Sequence, residues 1–338
     1  MNNGPGTKSR HRFGFCCCLV LLAGCQVQTA ERVVTLWHQM RPDDRAVLEE
    51  QINVFERSHP GVDVRALYKE TEELRSGLES AALVGHGPDI VYGPSDVMGV
   101  YHAIGAVRDL SAWFDERELS PFDPRALVRL NGELIFIGDR FGNHLALVYN
   151  RDYIEQPPTT TSDLVKLAVE NTVDENRDGR PERYGLVWNY TEPFFVIPFV
   201  TGYGGWVFDD VDDGSLAVPT LDSPPWVAAY QFVQALQSEH KVLPRSADYE
   251  AADALFLAGK AAMIINGDWS WQKYLEADGI NAAVALLPTV AETGLPMAPM
   301  VAPKGYSLTV AAKGHRVDDA VDLIRFLTGE ETQREFLS

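Results

Sequence analysis

The sequence predicts an α/β chain in which helices cover largely parallel sheets and the residues divide between two lobes. Three observations predict it. Short apolar runs alternate with helical patterns from Val33 onward. No internal repeat or low-complexity tract interrupts that alternation. The roughly 310 residues that follow the N-terminal segment exceed what one ordinary core holds.

That N-terminal segment is read as separate from the fold. Lys8, Arg10, His11 and Arg12 form a basic start, and Phe13 to Leu22 is an apolar stretch too short to span a bilayer. Leu22-Ala23-Gly24-Cys25 then places small residues directly before a cysteine. This arrangement resembles a bacterial lipobox, which implies a signal segment over residues 1–25 that is cleaved before Cys25, with Cys25 lipidated as the mature N-terminus. The other cysteines, Cys16, Cys17 and Cys18, lie inside the segment to be removed, so no disulfide framework is expected. A lipid on Cys25 would hold a soluble body at a bacterial membrane surface, on its periplasmic or extracellular side. Three of the 29 Lys/Arg and none of the 48 Asp/Glu fall in the removed segment, so the mature chain is strongly acidic. That charge argues against nucleic acid as a partner.

Val33 to Leu36 reads as the first strand. The helix that follows, 43–58, carries Val47, Leu48, Ile52 and Phe55 on one face. Val62 to Leu67 is the second strand. Thr71 is read as the cap of a second helix with Leu74, Leu78, Ala81 and Ala82 on its apolar face. Gly85-His86-Gly87-Pro88 breaks that helix, and Ile90 to Tyr92 is the third strand. Further on, Tyr184 to Trp188 and Ala261 to Ile265 read as strands, and Asp209 to Gly214 as an exposed acidic loop. Open α/β sheets bind ligands beyond the carboxyl ends of their strands. His38, Gln39 and Met40, then Asp96, then Trp269 therefore draw attention, since each follows a strand.

Trp269 and Trp271 follow the turn Asn266-Gly267-Asp268. On a helix the two side chains diverge by about 200°, so one can enter a core while the other faces a cleft.

Four stretches carry a resemblance to a known family. They are GHGPDIVYGPSDVMGVYHAIGAVRDL at 85–110, NGELIFIGDRFGNHLALVYNRD at 131–152, EPFFVIPFVTGYGG at 192–205 and FLAGKAAMIINGDWSW at 256–271. Together they resemble the extracellular solute-binding proteins of sugar ABC transporters, which include the maltodextrin binders. The resemblance implies a two-lobed periplasmic-binding-protein fold (class II type) with a hinge between the lobes. It would place residues 31–141 and 301–338 in the N-terminal lobe and 146–297 in the C-terminal lobe. It further implies a monomeric, non-enzymatic receptor that passes a sugar or oligosaccharide to a membrane permease. Asp96 matches a carboxylate that accepts sugar hydroxyl protons, and Trp269 matches an aromatic that stacks on a sugar ring. Trp271 would be its packing partner. Asn143 stands where maltodextrin binders carry Glu, and Phe194 where they carry Tyr. With His38, Met40, Gly204, Gly205, Trp206 and Tyr306 these residues form the expected ligand set. Family members usually continue for several helices beyond the stretch that ends here at Ser338, so the second lobe is expected to be incomplete. Thr328-Gly329-Glu330-Glu331 is read as a capping box opening a helix.

Residues 174–182, DENRDGRPE, space Asp174, Asn176, Asp178 and Glu182 as the first part of a calcium loop, with Gly179 at the turn. The Glu expected at loop position 12 is absent, because residue 185 is Gly. A structural Ca2+ and a plain polar turn both fit. No other cofactor is implied. The alternative from another class is a secreted glycosidase, since Asp96, Asp139 and Asp268 all follow strands. It would need two carboxylates flanking one bond, and no catalytic motif surrounds any of the three.

Overall fold

The computed structural model describes Met1, residues 32–209 and residues 217–337. Cys25, its preceding apolar stretch and most of the acidic loop 209–214 lie outside the described residues.

The strands are β1 (Arg32–His38), β2 (Val62–Tyr68), β3 (Ile90–Pro94), β4 (Leu127–Leu130), β5 (Glu133–Gly142), β6 (Leu145–Asn150), β7 (Tyr184–Val187), β8 (Ala261–Gly267), β9 (Ala282–Ala285) and β10 (Ala302–Leu308). The helices are α1 (Pro42–Ser58), α2 (Thr71–Leu83), α3 (Met98–Ala103), α4 (Glu116–Leu119), α5 (Thr161–Asn171), α6 (Ile197–Gly202), α7 (Pro224–Ser238), α8 (Tyr249–Leu257), α9 (Asp268–Leu275), α10 (His315–Leu327) and α11 (Glu330–Glu335). Two sheets result, one of order β2-β1-β3-β10-β5-β4 and one of order β7-β8-β6-β9. Each sheet has its own apolar core. Leu36, Phe55, Ile90, Ile137 and Leu308 lie in the first, and Leu147, Trp188, Phe199 and Ile265 in the second.

The sheets are mixed where the sequence predicts parallel ones. β1 runs parallel to β2 and β3, but β10 is antiparallel to both β3 and β5. Likewise β7 and β8 are parallel, while β6 is antiparallel to β8 and β9. The cause is connectivity. β5 leaves the first sheet and β6 enters the second after only Asn143 and His144, and β10 returns from the second sheet to pair beside β5. A strand that arrives from the other lobe enters its sheet from the opposite end to one fed by a covering helix.

Two caps differ from the sequence reading. Glu70, not Thr71, caps α2, its carboxylate accepting from the Glu72 amide. Thr328 closes α10 rather than opening α11, because its hydroxyl donates to Ile324 O at 2.8 Å. Gly329 takes the N-cap position of α11 without a side-chain bond.

Asp89 fastens the first lobe together. It is fully buried between α2 and β3. Its Oδ2 accepts from the Thr35 amide (2.9 Å) and hydroxyl (2.8 Å) of β1. Its carbonyl accepts from the Thr309 amide, just after β10. Arg316 of α10 brings Nη1 to 2.9 Å from Oδ1, off the line of an ideal hydrogen bond. Through side chain and backbone, one residue thus ties β1, the start of β3, the end of β10 and a covering helix.

Candidate functional site

A cavity of about 90 Å³ lies between the two sheets where β5 and β10 meet α9. From the first lobe, Gln39, Met40 and Arg41 reach it from the end of β1, Asp44 from α1 and Tyr92 from β3. Arg140 and Phe141 come from β5 and Lys304 from β10, while Asp268 and Trp269 come from α9 of the second lobe. A larger hollow of about 610 Å³ adjoins it beyond Arg140 and Phe141, lined by Phe114, Phe122, Arg325 and Gln333 among others. Every residue around that hollow belongs to the first lobe, so only the smaller cavity has the two-sided character of a cleft.

Trp269 is held in one orientation. Its Nε1 donates to Tyr249 Oη at 2.9 Å, and that oxygen also bonds Ser270 Oγ at 2.6 Å. Phe194 and Phe195 pack near it, with ring centroids 6.3 and 6.4 Å away. Gly267 makes the approach possible, since a Cβ there would stand 2.1 Å from the indole ring. The indole is half-buried, so one part rests on the second core while another faces the cavity. Trp271 diverges, as helical spacing requires. It packs into a separate apolar cluster with Phe256 and Tyr274 and donates to Asn266 O at 3.1 Å. It does not brace Trp269 ring against ring.

The first-lobe wall is polar and charged. Arg140 Nη1 pairs with Asp44 Oδ1 at 2.9 Å, and Arg41 approaches Asp44 at 3.6 Å. Beneath them Asp139 is buried, accepting from Tyr92 Oη at 3.2 Å with Arg140 Nε 3.5 Å away. Burial raises the Asp139 carboxyl to about 6, against the opposing pull of Arg140. Burial likewise lowers the Lys304 ammonium, with Asp268 nearby acting in the other sense. Asp268 at the head of α9 receives His144 Nδ1 at 3.3 Å, and its own amide donates to His144 O at 2.9 Å.

Of the sequence-derived ligand set, the structure places Met40 and Trp269 on this cavity, with Phe194 against the Trp269 ring. Asn143 occupies the crossing between β5 and β6 with φ of 67°. The rest lie elsewhere. His38 is buried, receives the Met40 amide on Nδ1 and lies edge-on to Tyr68. Burial, aided by the Arg45 charge, pulls its pKa down to about 4, the state of a neutral structural imidazole. Tyr306 is fully buried against Tyr92 in the first lobe. Asp96 is engaged with Arg75 Nη2 at 3.1 Å, away from the cavity. Gly204, Gly205 and Trp206 line a separate hollow with Phe208 and Pro225. In each case local packing claims a residue that follows a strand or belongs to an aromatic motif.

Sequence reasoning missed Arg41, Asp44, Arg140 and Lys304. The last two had a visible signal. A charged residue inside an apolar strand run, as in 135–142 and 301–308, has to face something polar.

The loop 174–182 folds on its own amides. Asp174 Oδ2 accepts from Gly179 N, Asn176 Oδ1 from Asp178 N, Asp178 Oδ1 from Arg180 N and Glu182 Oε2 from Glu175 N. Among the described residues no group of three or more His, Cys, Asp or Glu side chains is arranged to hold a metal ion.

Comparison with known proteins fits this geometry. Residues 39–334 match the family model described as bacterial extracellular solute-binding protein. The chain is 26% identical over 296 residues to a maltotriose-binding protein of Pyrococcus abyssi, covering 87% of this chain and 62% of that protein. It thus spans under two thirds of that relative's length. Among solved structures, the maltose/maltodextrin-binding domain from Bdellovibrio bacteriovorus bound to maltotriose is 42% identical, with a TM-score of 0.80, over 90% of this chain and 78% of that one. The Thermus thermophilus maltotriose-binding protein, 24% identical with a TM-score of 0.77 over 90% of this chain and 79% of that one, shares the fold. The architecture is therefore the two-lobed fold of maltose-binding-protein-like solute-binding proteins.

Proposed function

Because the chain belongs to the bacterial extracellular solute-binding proteins, we propose that it captures a maltooligosaccharide between its lobes and delivers it to the membrane subunits of an ABC importer. The observation that carries this reading is Trp269, fixed by Tyr249 and Gly267 so that its ring borders a cavity with charged groups on both sides. A pyranose has an apolar C–H face and a belt of hydroxyls. A preordered indole matches the face, and carboxylate, guanidinium and ammonium groups match the belt. The relatives whose names or bound ligands include maltotriose support the choice of sugar.

Binding without turnover fits the carboxylates better than glycoside hydrolysis does. Asp139 is buried beneath the wall and Asp96 is engaged by Arg75 away from the cavity. Asp44 borders the cavity but is held by Arg140. None of these pairs with Asp268 as a free acid and base would.

Calorimetry with maltotriose tests the reading. One-site binding is expected, together with a rise in melting temperature, because a ligand that prefers the folded state stabilises it by mass action. Absence of both would sink the proposal. In cells, the lipid at Cys25 should keep the protein with the membrane fraction, and Cys25→Ser should release it. A mutant that still sediments with membranes, together with no lipid mass on the native N-terminus, would refute the anchor. The calcium reading of 174–182 is testable in the same melting assay. EDTA should lower the melting temperature, calcium should restore it, and Asp174→Ala with Asp178→Ala should remove the response. A curve unmoved by chelator leaves the loop a turn held by its own amides.

A further inference from the structure

We propose that Lys304 is a ligand-binding residue that donates hydrogen bonds to the hydroxyl and acetal oxygens of a sugar resting on Trp269. The inference rests on the sugar-capture reading and deepens it.

Lys304 lies directly opposite Arg140 in the β10–β5 ladder. Two cations facing each other across strands repel, so the pair needs anionic or polar partners. Arg140 has Asp44. Lys304 Nζ has no hydrogen-bond or ion-pair partner among the described residues, although the side chain is half-buried and borders the cavity. An ammonium with three donors, drawn partly out of water and left unmatched, is costly. Its position is nonetheless defined, because the chain runs over Gly142. A Cβ at 142 would stand 2.5 Å from Lys304 Cε and 2.9 Å from Nζ. The glycine thus forms a slot for the lysine on its way to the cavity.

Two further groups on the cavity lack a matched atom. Arg140 Nη2 and Asp268 Oδ1 are both shielded from solvent and have no hydrogen-bond partner. The residues that line the cavity therefore carry spare donors on the first-lobe side, on Lys304 and Arg140, and a spare acceptor on the second, which side-chain rotation can turn to a ligand. Hydroxyls, which donate and accept at once, satisfy such a mixture; a purely anionic group would leave Asp268 opposed.

The competing role for Lys304 is a latch, in which it closes onto Asp268 across the cleft and never touches ligand. Maltotriose calorimetry on wild type, Lys304→Met, Asp268→Asn and the double variant separates the two. We expect Lys304→Met to melt no lower than the wild type and to weaken binding at least tenfold, with a similar factor in the Asp268→Asn background. Lys304→Arg should retain part of the affinity. Gly142→Ala, which fills the slot, should reproduce the loss, and it carries the test if Lys304→Met does not fold. Unchanged affinity in folded Lys304→Met overturns the proposal. So does a loss that disappears once Asp268 is Asn, which would make the lysine a latch. A wild-type protein that binds no maltotriose would instead overturn the sugar reading and this inference with it.

Discussion

Trp269→Ala is expected to weaken maltotriose binding by about 2–4 kcal/mol, the range for a central aromatic anchor. The effect should exceed that of any other single truncation on the second-lobe side. The indole is ordered before ligand arrives, by Tyr249 Oη at 2.9 Å and by contact with its own backbone at Gly267. Little rotamer freedom remains to be lost on binding, so most of the stacking and apolar contact appears as affinity. Removal also strips a shared partner from Tyr249, whose hydroxyl keeps only Ser270. Sugar binding should alter tryptophan fluorescence in the wild type and much less in the variant. Trp271→Ala serves as the control. Its ring packs with Phe256 and Tyr274, so it should lower the melting temperature and leave the affinity of folded protein close to wild type. Equal calorimetric affinity for wild type and folded Trp269→Ala would remove the indole from the site.

The second large effect concerns stability. Asp89→Ala should destabilise the first lobe by about 3–5 kcal/mol, the cost of removing one partner of a buried charged network. The variant leaves the Thr35 amide and hydroxyl without their acceptor and Arg316 without its counter-charge. The Thr35 groups would then face the fully buried space that Asp89 vacates, while Arg316, partly exposed, would turn to water. Asp89→Asn should cost less, since an amide oxygen still accepts from Thr35 while the charge on Arg316 goes unbalanced. Urea denaturation followed by circular dichroism reads the difference. A loss under 1 kcal/mol in Asp89→Ala would mean that water or repacking satisfies Thr35, and that the network is not what joins β1 to α10.

Much of the fold was legible because periodicity is local. The strand-helix-strand-helix-strand run from Val33 to Tyr92 appears where it was read, with ends within a few residues. The antiparallel entry of β10 was not legible, since it depends on the path of the chain through the other lobe. Thr328 shows the limit of motif reading. Its spacing to Glu331 suits a helix start, yet the hydroxyl is taken by Ile324 O one turn earlier. The site was legible in part for a similar reason. Trp269 drew attention by following a strand and a glycine turn, and the resemblance of 256–271 to the solute-binding family is what pointed it to the cleft rather than the core. For Lys304 and Arg140 the sequence signals only that each faces something polar; that they face one another, across strands more than 150 residues apart in sequence, is a property of the ladder. His38 and Tyr306 lie away from this cavity for local reasons: Tyr68 packs edge-on against His38 at the end of β1, and Tyr306, inside β10, is buried against Tyr92.

The crossing at Asn143 and His144 also fixes where motion would originate. His144 is tied to the head of α9 through backbone and side chain, so it travels with the second lobe. Gly142 is paired with Ala302 in the first sheet and travels with the first. At this crossing the pivot is thus confined to the peptide links beside Asn143, next to the cavity itself, and the only other crossing in the described chain is the return from β9 to β10. Points on a rotating body are displaced in proportion to their distance from the axis. Trp269, close to the fulcrum, would sweep only a short arc as the lobes swing, whereas the outer rim of each lobe would sweep a long one. A sugar ring could therefore settle on the indole while the jaws are still apart, and the distant rim would decide how long it stays.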